Sequence, residues 1–591
     1  MKNKLAITLL LPALLLTSCI FAKAKETEER EIEVYDLDNI PNKGDIVTGA
    51  GYQTTIKARF VKGQDYIPYL TITDYISLYE PHFKKSIISE VEIDSGDYAW
   101  TVREGKEYHF VVEFDMYNRA LLMAGGLSSA YRDDDNQQDV EALEHGLKSD
   151  YEADESGRGY AVYYFSSIDC FKYNSEWYLP LGLLDTLFSA DTQIYYFYNY
   201  AHIFSTKDVD NFATKQYIDE TKIQTVDSQM KSKAWGRSGD MPDYLIDYNA
   251  KLFILLMNNF YGLKDNKGIN SMTLYYKNNN LYSGLFSHNA SIRSQAYADC
   301  LDCFDDNHTA LVSVNNAWGE ENYIVRRLSK GIASRNRLRQ QLNSTRDAYY
   351  AQLFPDKEVE PGDEIIYSQD GKTAMYMFNS FSFTTSDVLN GDNLEKLYQE
   401  DTYFNLIHIF ETIKAKGGVE NVILDISTNG GGTVGVMVKL LALLSKDNKT
   451  RVTYLEGASS QIVSMHVSVD SNDDNEYDVN DCYGNDFNFY ILTSDCSFSC
   501  GNAFPCVAQL EGSAKIIGQK SGGGECAINI HYLPNSQYVY HSSNLHLGYY
   551  DEKAKEFTGF ENGATPDIEI TNTDDFYDIE KLNSLIANTQ N

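Results

Sequence analysis

Hydrophobic and polar positions change their spacing twice along the 591-residue chain. Up to about residue 205, short apolar runs alternate with acidic loops, the signature of β-strands. Two segments there look alike. YIPYLTITDYISLY from Tyr66 and WYLPLGLLDTLFS from Trp177 each place a short strand ending in proline before apolar positions at helical spacing. From about 206 to 364 the spacing is helical, as in DYLIDYNAKLFILLMNNFYGL and RLRQQLNSTRDAYYAQLF, interrupted at DCLDCFDDNHTALVS. From about 365 strand-like and helix-like runs alternate: TAMYMFNSF and VENVILDIS, then TVGVMVKLLALLSK, then VTYLEG, FNFYILTS and AKIIGQK. A strand, a glycine turn and a helix in that order imply a crossover unit. The pattern predicts a multidomain α/β protein: a β-rich region with a duplicated module at 25–205, a helical segment at 206–364, an α/β core at 365–575 and a tail at 576–591. The length agrees, since one core does not organise a chain this long.

Composition narrows the partners. A formal charge of −35 repels phosphate backbones and anionic lipid head groups, which sets aside nucleic acid and membrane-surface binding. The many tyrosines are read as amphipathic rings on half-buried strands. The start, MKNKLAITLLLPALLLTSC, has two lysines and an apolar run from Leu5 to Leu16, too short for a permanent span; residues 1–24 are therefore expected to be an export signal. LTSC ending at Cys19 resembles the lipobox of bacterial lipoproteins, and AKA at Ala22 to Ala24 offers a competing cleavage site. The expectation is an exported cell-envelope or secreted protein whose membrane contact is an N-terminal lipid anchor. Cys170, Cys300, Cys303, Cys482, Cys496, Cys500, Cys506 and Cys526 remain, an even number that permits disulfides in an exported chain. Cys300 and Cys303 form a CxxC without a second ligand pair, so no zinc site is expected. DSNDDNEYDVND from Asp470 lacks the central glycine of a calcium loop and reads as a solvated loop. No metal and no cofactor is called.

Four segments could carry chemistry, and each alone has an ordinary structural reading. ILDISTNGGGTVG places Asn429, Gly430, Gly431 and Gly432 between a buried strand and a helix, where free amides suit a developing oxyanion or form a tight turn. No Gly-Lys-Ser/Thr follows, which argues against a phosphate loop. TSDCSFSCGNAF repeats the strand, small-residue turn and helix, so that Ser497 and Ser499 are helix caps or activated hydroxyls. FDDNHTAL brackets His308 with Asp305, Asp306 and Thr309, and imidazole moves protons near neutral pH. GFENGATPDIEI carries Glu561 before a glycine.

Taken in order, DNHTAL, VILDISTNGGG, TSDCSFSCGNAF, KIIGQKSGGG and ENGATPDIEI resemble the core of the C-terminal processing (tail-specific) serine proteases, over roughly residues 300 to 575. Relatives of that family include tricorn protease and interphotoreceptor retinoid-binding protein. The resemblance implies a crotonase-like (ClpP-like) α/β core with Ser499 as nucleophile and Ser497 as its neighbour. It implies an oxyanion hole from the Cys500 amide and that of Gly430 or Gly431. Asn502 stands where the family pattern has an acidic residue. Gly524 stands where the Ser-Lys branch has its basic lysine, and Lys520 lies four positions early. The tricorn-like branch uses a histidine and a glutamate instead, so the resemblance implies a Ser499, His308, Glu561 triad, with Glu525 as reserve carboxylate. No PDZ module fits in the roughly fifty residues between the histidine segment and the core.

Two further readings stay open. A noncatalytic protein that keeps the protease fold to hold a peptide or apolar ligand fits the missing lysine and acid; scaffolding or adhesion rests only on the tyrosines and acidic loops. The faint likeness of the two N-terminal segments to the copper amine oxidase N-terminal repeat, a module without copper, implies a structural or attachment role there.

Overall fold

The structure is a computed structural model, and it describes residues 25–40, 50–94, 97–125, 143–154, 159–209, 211–219, 221–234, 240–311, 318, 330–355 and 364–590. The export-signal segment with Cys19 lies outside these residues. Among them, no helix is long and apolar enough to cross a membrane. All eight cysteines after Cys19 are described, and each is a free thiol.

The C-terminal part of the chain is organised by a six-stranded sheet in the order Ile366–Tyr367, Thr373–Met377, Asn421–Asp425, Asn488–Thr493, Ala514–Gly518, Ile568–Glu569. The first pair is antiparallel and the rest are parallel. Its strands are apolar on both faces, as parallel strands flanked by helices must be. Val422, Leu424, Phe489, Ile491 and Ile516 face one core, against helices Thr402–Lys416, Val434–Leu444 and Cys500–Glu511. Met375, Ile423, Tyr490, Leu492 and Ile517 face the other, against helices Lys330–Leu353 and Ile579–Gln590. The period-2 alternation of strand side chains sorts these residues into the two cores.

A second sheet runs beside the first, in the order Ala310–Leu311, Tyr538–Asp551, Thr450–Glu456, Gln461–Val469, Leu147–Asp154. Strands Cys526–Tyr532 and Glu556–Gly559 also pair with the 14-residue strand Tyr538–Asp551. Leu147–Asp154 comes from the stretch expected to be the N-terminal region, yet pairs over eight residues with Gln461–Val469. The two look-alike N-terminal segments meet directly: Tyr69–Thr71 and Glu176–Pro180 are antiparallel neighbours in a seven-stranded sheet, each running straight into a helix. In the acidic stretch, Asp470 and Asp481 are buried and accept the amides of Asn475, Ser471 and Asp478. The loop is therefore folded around its own carboxylates rather than wholly solvated.

Residues 579–590, read as part of a tail from sequence, form a docked helix with Leu582 and Ile586 fully buried. Leu582→Ala should cost about 3 kcal/mol of unfolding free energy in urea titration, from lost burial plus the cavity left behind. A loss under about 0.5 kcal/mol would mean that the helix does not dock.

Candidate active site

Strand Asn488–Thr493 delivers the turn that ends at Ser499, the residue capping helix Cys500–Glu511. Ser499 adopts φ 59° and ψ −126°, a conformation that costs a non-glycine residue about 1–3 kcal/mol and that clusters at functional sites. The surroundings hold it: the Ser499 amide donates to Gly523 O at 3.0 Å, and Ala503 N returns to Ser499 O at 2.9 Å. Ser499 is half-exposed. Ser497 is fully buried, its hydroxyl donating to Ile426 O at 2.8 Å and accepting the Ser494 amide at 3.0 Å. Ser497 braces the turn and leaves Ser499 as the hydroxyl on offer.

The glycine turn presses against this hydroxyl. A β-carbon at Gly431, whose φ is +114°, would lie 2.7 Å from Ser499 Cβ and 3.0 Å from its Oγ. The Gly431 amide is already engaged by Asn429 Oδ1 at 2.8 Å. The amides of Gly430 and Cys500 have no acceptor among the described residues. Of the two glycines, Gly430 is therefore the one with a donor to give, at the positive end of the Cys500–Glu511 helix. The Cys500 thiol turns away to Gly432 O at 3.1 Å, and burial pushes it up to about 12, so it is a packing group.

His308 arrives from the opposite direction. Asp306 folds the DDNHT turn by accepting the His308 amide (2.9 Å), the Thr309 hydroxyl (2.7 Å) and the Ser542 hydroxyl (2.8 Å). The next residues, Ala310 and Leu311, pair with Tyr540 and Val539. The ring is buried, with its centroid 4.8 Å from that of Phe498, edge to face. Burial holds it below the ordinary histidine value, opposed by Asp306 and the Cys526 backbone. His308 is thus neutral at neutral pH, the state a proton acceptor needs. Its Nδ1 is buried without a hydrogen-bond partner among the described residues.

Phe498 also crowds position 524. Gly524 has φ +85°, and a β-carbon there would lie 2.5 Å from the Phe498 ring. A side chain at 524 is thus strained by the backbone and crowded by the same ring that packs against His308. Lys520 is exposed.

Glu561 sits on the turn that follows. Its Oε2 accepts the amides of Gly524 (3.0 Å) and Glu525 (3.1 Å), and Oε1 has no partner among the described residues. Burial, then the neighbouring Glu525 and Asp306 charges, raise it above the ordinary glutamate value against the two amides. Glu525 is committed elsewhere: it accepts the Glu561 amide at 2.7 Å and pairs with His546 Nδ1 at 2.8 Å. Asn502, fully buried, spans the same region. Its Nδ2 donates to Phe560 O (2.9 Å) while its Oδ1 accepts from Ser521 Oγ (2.7 Å), which itself receives the Ala564 amide (2.7 Å). A carboxylate could not make the first of these bonds, so the departure from the family acid is matched to its neighbours.

Ser499, His308 and Glu561 are thus gathered around the 522–525 turn and Phe498, but the described hydrogen bonds do not join one to another. Sequence reasoning missed Phe498, His546, and Arg335 and Arg339 on helix Lys330–Leu353. Arg335 pairs with Asp495 at 3.3 Å and donates to Gly522 O, while Arg339 Nη2 would lie 3.8 Å from a β-carbon at Gly430. The i, i+4 spacing of the two arginines was the available signal. A cleft of about 750 Å³ opens beside the site, lined by Glu525, Glu561 and His546 of the core, Asn258 and Asn259 of the helical segment, and Tyr164 of the N-terminal region.

A half-exposed serine at a strained helix start, beside the Gly430 and Cys500 amides, is an arrangement that a serine-type peptidase can use. Residues 393–570 match the model of Peptidase family S41; Ser499, Gly430, Gly431, Cys500, Glu525 and Glu561 fall inside the matched stretch and His308 lies upstream of it. No curated protein matches the chain. Among solved structures, a candidate peptidase from Parabacteroides merdae is similar at 19% identity and TM-score 0.36, over 53% of this chain and 86% of that one. Mature CPAF complexed with lactacystin is similar at 11% and 0.35, over 59% and 98%. Tricorn protease is similar at 9% and 0.32, over 96% and 55%. Likenesses this remote carry no argument about the site.

Gly431→Ala should lower kcat about 100-fold or more by pushing Ser499 Oγ out of place, with secondary structure by circular dichroism unchanged. An unaltered kcat would show that the glycine turn does not set the serine's position.

Proposed function

We propose that the protein is an exported, lipid-anchored serine endopeptidase of the tricorn-like Ser-His-Glu type, built on a crotonase-like core. Ser499 attacks the scissile carbonyl of a peptide or protein substrate and forms an acyl-enzyme. His308 takes the hydroxyl proton and returns it to the leaving amine. Glu561 orients the imidazole and stabilises its cation. The amides of Gly430 and Cys500 bind the oxyanion. The observation that carries this reading is the strained Ser499 backbone, kept half-exposed against Gly431 while the basic position of the alternative branch is crowded by Phe498. A histidine lowered by burial supplies the missing base.

Glu561 is preferred to Glu525 as the third member because its Oε1 is uncommitted, whereas both Glu525 oxygens have partners. Closure requires His308 and Ser499 to come within hydrogen-bond reach, a tightening of the kind catalytic pairs undergo on substrate binding; the cleft of about 750 Å³ reaches the three residues through Glu561. One observation favours a second reading, a ligand-holding protein without turnover: Ser499 and His308 share no hydrogen bond in this structure.

Fluorophosphonate labelling separates the two. Covalent labelling of the wild type, lost in Ser499→Ala, supports the peptidase; absence of labelling supports the ligand-holding reading. Ser499→Ala should abolish peptide hydrolysis, and His308→Ala should cost on the order of 10³-fold or more, because triad members act as a unit. Glu561→Gln should cripple turnover more than Glu525→Gln, and the reverse order would reassign the third member. The pH profile carries a sign. His308 must be neutral and its value is depressed, so its loss of function comes as pH falls below 6.5. Glu561 must be ionised and is raised from 4.5, so it also acts on the acid side. kcat/KM should therefore fall on the acid side, with the His308 limb centred below pH 6.5. An acid limb centred above pH 7 would remove His308 as the base.

A further inference from the structure

Behind the Glu561 turn, three side chains of metal-ligating type converge. Strand Cys526–Tyr532 pairs with Tyr538–Asp551 so that Cys526 stands opposite His546, and the register slips just after Cys526. One ligand atom each from Glu525, Cys526 and His546 lies within 4.8 Å of the other two. His546 Nδ1 is 2.8 Å from Glu525 Oε1 and 3.5 Å from Cys526 Sγ. The three are 3%, 2% and 8% exposed, and Glu525 and His546 border the cleft of about 750 Å³.

We propose that Glu525, Cys526 and His546 form a binding site for a borderline-soft divalent cation of the zinc class, with a fourth position open to the cleft. The charges sum to zero when a carboxylate, a thiolate and a neutral imidazole surround a divalent ion, which removes the penalty of burying an unpaired charge. One sulfur and one imidazole nitrogen select zinc-like ions over calcium or magnesium, which take oxygen ligands. Zinc bonds of 2.0–2.3 Å in a tetrahedron place ligand atoms about 3.4 Å apart. The 3.5 Å edge already meets that spacing, and the 2.8 Å edge, a hydrogen bond without metal, widens by roughly half an ångström when the ion replaces the shared proton. The other Glu525 oxygen is fixed by the Glu561 amide at 2.7 Å, an outer hydrogen bond of the kind that orients ligating carboxylates. The site does not depend on whether Ser499 is catalytic. A search for paired CxxC spacing misses it, because two ligands are adjacent and the third lies twenty positions on, across a strand pair.

The test is titration of the purified protein with zinc by calorimetry and with cobalt(II) by absorbance. One ion per chain is expected, with a thiolate-to-cobalt charge-transfer band and no competition from calcium or magnesium. Cys526→Ser and His546→Ala should each weaken zinc binding about 100-fold, while Cys300→Ser/Cys303→Ser leaves it unchanged. No thiolate band in the wild type overturns the proposal even if the variants fold poorly. So does binding that survives in His546→Ala or disappears in Cys300→Ser/Cys303→Ser.

Discussion

The site depends on a backbone turn, residues 522–525, that is gripped from two sides. The Ser499 amide holds Gly523 O, and the Glu561 carboxylate holds the amides of Gly524 and Glu525. Ser499 stays in its strained conformation only because that bond and the first helical turn over-determine it. The turn is also where the serine-bearing helix, the glutamate loop and the second sheet come into register. Any group that shifts it changes the relation between the hydroxyl and the carboxylate at once.

Three buried polar devices keep the turn in place, and each satisfies groups that would be costly to leave unpaired. Asn502 ties Phe560 to Ser521. Glu525 ties the Glu561 amide to His546. Asp306 ties the His308 turn to Ser542. The last two tie Ser542 and His546, in the middle of strand Tyr538–Asp551, to the site. Its length, and its pairing with four other strands, makes it the rigid support on which His308 and the Glu561 turn are placed relative to each other.

Much of this was legible in the sequence because it is local. The parallel strands TAMYM, NVILD, NFYILT and AKIIG and the helix after the glycine turn appear where their spacing puts them, and the serine and glycine turns were marked by small residues between apolar runs. What was hidden is non-local. Leu147–Asp154 carries polar alternation that gives no sign of its partner strand, and the terminal helix shows a polar majority although Leu582 and Ile586 are buried. The role of Asn502 was unreadable for the same reason: its donor and acceptor partners lie nineteen and fifty-eight positions away. The cysteines, whose even number permitted disulfides, remain thiols that fill core space.

Steric crowding at Gly524 bears on which base this chain can use. A lysine there would need both a left-handed backbone and the volume now filled by Phe498. Placing a lysine there therefore takes a concerted change: the ring must move, the backbone must rotate, and His308 would lose the aromatic ring it packs on. Retaining the ring makes the opposite demand. The imidazole is kept buried beside Phe498, the residue that precedes Ser499. The packing of the His308 ring and the crowding at position 524 thus share one aromatic side chain.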